Sequence, residues 1–90
     1  MSAPRTDDEM VLKLIGRSRL LIALSEEIPT ETKLQTQPLL KQLEQALAAP
    51  PEEQDEGRVR GTYAALYGEL AGYADLEALL SALRNFVPYL

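Results

Sequence analysis

Apolar residues recur three and four positions apart in four separate stretches of this chain, and prolines fall between or at the ends of those stretches. That spacing lines one face of a helix. Val, Ile and Thr are sparse within the apolar runs, so little favours strands. The expected fold is all-α: a small bundle of four main helices, arranged as two helical hairpins, which a second chain could complete by dimerisation.

The first helix is expected at about 7–27. Thr6-Asp7-Asp8-Glu9 matches a capping box with acids in the first turn. Met10, Val11, Leu14, Ile15, Leu21 and Ile22 share a broad stripe, while Leu12, Leu20, Ala23 and Leu24 fall outside it. Apolar on most sides, the second half of this helix calls for burial on more than one face. Pro29 ends it by disfavouring helix at Ile28. The second helix is expected at about 37–48, capped by Thr36 or Gln37 with Pro38 in its first turn. Leu39, Leu40, Leu43, Ala46 and Leu47 form its stripe, and residues 30–36 would be a separate turn. The run "APPEEQDEG", 49–57, reads as an acidic, proline-rich loop. A third helix follows at about 58–72. A fourth is expected at about 76–87, capped by Asp75 and stopped by Pro88. One domain spans 1–90, and the apolar tail "PYL" is expected to pack back onto it.

The third helix is unusual. On a helical wheel Ala71, Ala64, Gly57, Gly68, Gly61, Gly72 and Ala65 fall within about 120°, and no larger side chain shares that arc. Val59, Tyr63, Leu66 and Leu70 lie opposite. A glycine within a helix costs about 1 kcal/mol relative to alanine. Close approach of another helix would offset that cost, and small residues permit it. The expected contact is helix 1 of the same chain or the same helix of a second chain. Gly61, Ala64, Ala65, Gly68, Ala71 and Gly72 are therefore the candidate association residues. Tyr63, Tyr67 and Leu70 are candidates for a ligand pocket, with the hydroxyls as polar handles.

Chemistry has little to work with. The chain has no Cys and no His, which removes thiolate metal sites and the commonest general base. The acids near 7–9 suit a helix N-terminus, those at 52–56 lack calcium-loop spacing, and no glycine-rich phosphate loop is present. No catalytic residue, metal or cofactor is expected. Size, acidity and helix count resemble those of acyl carrier proteins, but that family needs Asp-Ser-Leu, and here Asp75 and Leu76 are adjacent with no serine between. The start lacks a signal-peptide pattern, and the longest apolar run, 20–24, is too short for a membrane span. The expected location is the cytoplasm.

Ninety residues with a net charge of −5 bury a thin core and repel phosphate backbones. A binding function follows: a non-catalytic protein–protein interaction module or small accessory or inhibitory subunit, either a homodimer through the third helix's small face and the fourth helix's leucines, or an acidic partner of a basic surface. Two other readings are a small-molecule sensor or carrier and, third, a helix-turn-helix regulator. In the last, Glu77, Ser81, Arg84 and Asn85 would face DNA, and Lys13, Arg17 and Arg19 would meet phosphates. No membrane association is expected, and nucleic acid is disfavoured.

Overall fold

A computed structural model describes residues 6–87, 89 and 90, the side chains of 6–8 and 51 excepted. The order is α1 (Thr6–Leu24), α2 (Thr30–Ala48), a 3-10 turn at Pro51–Glu53, α3 (Glu56–Leu70) and α4 (Ala74–Leu83), with no strand among the described residues. The fold is a small, all-α four-helix bundle. α1 packs on α2 and α4, and α3 packs on α2 and more lightly on α4, so α1 and α3 lie across the diagonal. Extents of 45 × 22 × 17 Å give a cross-section of two helices each way, since one helix with side chains is about 10–12 Å across. One core runs down the middle. Ile15 and Ile22, Leu40 and Leu43, Leu66 and Leu70, and Leu80 and Leu83 are its fully buried pairs, one from each helix.

α1 ends at Leu24, three residues earlier than expected, because Ser25 turns the chain. Its hydroxyl oxygen accepts from the backbone N–H groups of Glu27 at 3.2 Å and Ile28 at 3.3 Å. Lys33 Nζ then donates to the Ala23 carbonyl at 3.2 Å, which serves one of the orphan acceptors at the helix end. The capping box at its start depends on side chains outside the described residues.

α2 corrects the expectation most. It is one helix from Thr30, and Pro38 sits inside it. Thr36 is not a cap. It is buried, and its hydroxyl donates to the Thr32 carbonyl at 2.8 Å. Proline removes the donor that would have met the Leu34 carbonyl. Leu34 and Pro38 both lie on the exposed side, where water can reach that carbonyl. The core stripe, Thr36, Leu40, Leu43 and Leu47, continues past the proline and holds the helix together. Pro38→Ala restores the missing hydrogen bond. It is expected to raise the unfolding free energy by roughly 1–2 kcal/mol in urea titration, a proline's cost within a helix less its benefit in the unfolded chain.

α3 begins at Glu56, two residues early, because Asp55 caps it by accepting from the Arg58 N–H at 3.1 Å. An acid expected in the connector thus belongs to a helix start. Gln54 ties down the rest of the connector. Its amide donates to the carbonyls of Leu47 at 3.3 Å and Ala49 at 2.9 Å, and its oxygen accepts from the Tyr89 hydroxyl at 2.6 Å. Tyr89 and Leu90 pack against the core. Asp75 lies in the first turn of α4 rather than at its cap, which is Tyr73. α4 gives way after Leu83 to tighter turns, with Arg84, Asn85 and Phe86 each donating three residues back.

Candidate functional site

The fold leaves two helix faces uncovered and builds one polar cluster between α3 and α4. The first face is the glycine and alanine arc of α3. Gly57, Gly61, Ala64, Ala65, Gly68 and Gly72 are exposed, and Ala71 is half-buried. A Cβ built on Gly61, Gly68 or Gly72 would meet nothing within 4 Å. Packing of this arc against helix 1 of the same chain is therefore corrected. The bulky side of α3, carrying Val59, Tyr63, Leu66 and Leu70, takes the core, and the diagonal placement keeps α1 away. Within one chain nothing offsets the glycines' cost. Gly61→Ala and Gly68→Ala are each expected to stabilise the monomer by about 0.5–1 kcal/mol, measured by thermal or urea unfolding. A loss of stability on either substitution would show that the face is covered in solution.

The second uncovered face was legible in the sequence only as a demand for more burial. Leu20 is 58% exposed and Leu24 71%, so the second half of α1 is not buried on several sides within the chain; Leu12, in its first half, is 42% exposed. Leu20, Leu21, Arg17, Asp75, Ala78 and Leu79 line a depression of about 470 Å³ between α1 and α4. A second, of about 500 Å³, continues from it past Leu24, Ile28 and Tyr73. The two share Leu21 and Asp75, so they form one trough flanked by exposed leucines. Of the fourth helix's leucines, Leu76, Leu80 and Leu83 are core and Leu79 alone is half-buried at the trough. Only Leu79 is therefore placed to serve an interface.

The polar cluster explains the tyrosines. Tyr63 is 4% exposed, and its hydroxyl donates to the Leu80 carbonyl. That carbonyl would otherwise be an orphan of the α4 C-terminus, because the Arg84 N–H turns to Ser81 instead. The Tyr67 hydroxyl donates to Glu77 Oε1 at 3.2 Å. The two rings stand 6.0 Å apart, and the Arg84 guanidinium carbon lies 5.5 Å from each centroid, within range for cation–π attraction to both. These contacts fasten α4 to α3 along the lightest seam of the ring. Burial pushes the Tyr63 hydroxyl above its ordinary pKa of 10.0, and the Arg84 charge works in the other direction. Beside the cluster, Arg60, Tyr63, Ala64, Tyr67, Gly68, Arg84 and Leu90 line a groove of about 380 Å³. Tyr63 and Tyr67 are in its wall. Leu70 is not: it is fully buried in the core, which corrects its place among the pocket residues.

Arg19 and Glu44 form the one ion pair among the described residues, 3.4 Å apart, linking α1 to α2. Both are partly exposed, so the pair contributes little, about 0.2–1 kcal/mol. Among the described residues no group of three His, Cys, Asp or Glu could hold a metal ion, and no helix is long and apolar enough to cross a membrane. Comparison with family models, curated proteins and solved structures gives no match.

Proposed function

We propose that the protein is a non-catalytic interaction module that binds through helix faces, and that its first partner is a second copy of itself. The observation that carries this reading is the leucine-flanked trough between α1 and α4. Burying one leucine side chain contributes about 1.5–3 kcal/mol, so the two exposed leucines beside the trough, Leu20 and Leu24, are a substantial unspent driving force. The same surface carries both ridge and hollow, Leu20 and Leu24 beside Ala78 and Leu79. A two-fold interface needs such self-complementarity. Arg17 and Asp75 on the rim have opposite charges, which suits pairing across a two-fold axis. The small face of α3 is a second open surface, available to the same copy or to another chain.

Light scattering across a range of concentrations tests the reading. A mass of two chains that falls to one on dilution supports it. A single chain at every concentration would turn the reading to a foreign partner with a basic surface, for which net −5 gives long-range attraction. One feature weighs against the helix-turn-helix reading: Glu77 is held by Tyr67, so it is not free to face DNA.

A further inference from the structure

The groove beside Tyr63 and Tyr67 lies on the α3–α4 side of the bundle, apart from the α1–α4 trough. We infer that it is a binding site for a small organic monoanion: a carboxylate carried on a flat apolar or aromatic body. Three observations converge. Two of the protein's nine basic residues, Arg60 and Arg84, line this one groove, and among the described residues neither has a carboxylate within ion-pair distance. An arginine without an acid beside an apolar floor is a ready carboxylate partner, because its fork of donors matches a carboxylate edge to edge. Arg84 is held in place, since its guanidinium carbon is equidistant, at 5.5 Å, from the two tyrosine rings. A cation fixed by stacking loses less freedom when it binds than one on a free stem.

The floor supplies the second half of the site. Ala64 and Gly68 put almost no side chain between the groove and the α3 backbone, and nothing lies within 4 Å of a Cβ built on Gly68. A flat body can rest there, with Tyr67 and Leu90 also in the lining. The volume, about 380 Å³, falls at the low end of small-molecule sites. Glu77, whose Oε1 accepts from the Tyr67 hydroxyl, lies beyond ion-pair distance of Arg84. The protein's net negative charge acts from farther away and is screened over about 8–10 Å in ordinary salt. This fits a site that recognises its ligand by contact rather than by long-range steering.

The test uses 3-phenylpropanoate and its neutral amide as probes, followed by amide NMR and by tyrosine fluorescence, which no tryptophan obscures. The carboxylate is expected to saturate at or below about 10 mM, the range of a weak fragment, and to shift the Ala64, Tyr67 and Gly68 amides. The amide is expected to bind at least about tenfold more weakly, the worth of one charge-assisted contact. Arg60→Gln and Arg84→Gln are each expected to weaken the carboxylate by a similar factor, while circular dichroism reports the fold. If Arg84→Gln loosens the α3–α4 seam, Arg60→Gln alone decides. Equal binding of acid and amide, no saturation, or shifts confined to α1 and the start of α4 would overturn the assignment. So would undiminished carboxylate binding by Arg60→Gln. None of these results depends on association through the α1–α4 trough, because the groove and the trough share no lining residue.

Discussion

A chain carrying Leu20→Glu and Leu24→Glu is expected to be a monomer at concentrations where the parent associates, with the dissociation constant raised at least about 100-fold. Covering what remains exposed of these two leucines on both copies would contribute roughly 4–8 kcal/mol. Association itself costs about 4–15 kcal/mol, so removing that term leaves little to hold two copies together. Four added carboxylates also place like charges opposite each other. The monomer is expected to tolerate the change within about 0.5 kcal/mol, because Leu20 and Leu24 are 58% and 71% exposed in the single chain. Light scattering reads the mass and circular dichroism reads the fold. If the variant loses helix, the leucines belong to the monomer's own core. If its mass matches an associated parent, the interface lies elsewhere, and the small face of α3 is the next surface to substitute.

Replacing Tyr63 with phenylalanine is expected to cost about 1–3 kcal/mol, the penalty for leaving the buried Leu80 carbonyl without a donor. The ring keeps its packing, so the loss isolates the hydroxyl. Tyr67→Phe is expected to cost less, about 0.5–1 kcal/mol, because its bond to Glu77 is only part-buried. The same hydroxyl predicts a pH dependence. Burial raises its folded-state pKa above 10.0. The neutral form therefore binds its proton more tightly in the folded protein than in the unfolded chain. The stability this contributes is fully present below pH 10 and is lost as pH rises through the folded pKa. Urea unfolding from neutral to strongly alkaline pH is expected to show that loss, and Tyr63→Phe to show a shallower one. Tyr89, also raised by burial, with Glu56 adding to the rise, keeps some slope in the variant. A variant as stable as the parent at neutral pH would mean that water, not Tyr63, serves the Leu80 carbonyl.

The four helices were legible because each carries leucines or isoleucines at helical spacing. The errors lie where a local rule met a stronger tertiary one. Pro38 reads as a helix start by its missing N–H, yet the buried stripe from Thr36 to Leu47 carries the helix through it, with the lost bond turned toward water. Asp55 reads as loop because acids and prolines surround it, yet it is the cap of α3. Tyr63 and Tyr67 were visible as amphipathic handles. Their acceptors could not be read, because the Leu80 carbonyl and Glu77 belong to another helix whose placement no spacing within α3 encodes. The place of Arg84 in the groove is hidden in the sequence for the same reason.

Periodicity is local: it depends on which side chains lie three and four residues apart. By itself the sequence determined an all-helical chain with a narrow leucine core, a two-sided third helix and no His or Cys chemistry. Which face of each helix meets another depends on the ring order of the helices, and tertiary packing alone decided that. It placed α1 and α3 across a diagonal, so the glycine face of one and the outer leucines of the other remain in water. A bundle two helices wide covers one stripe on each helix, and a sequence with second stripes leaves them at the surface.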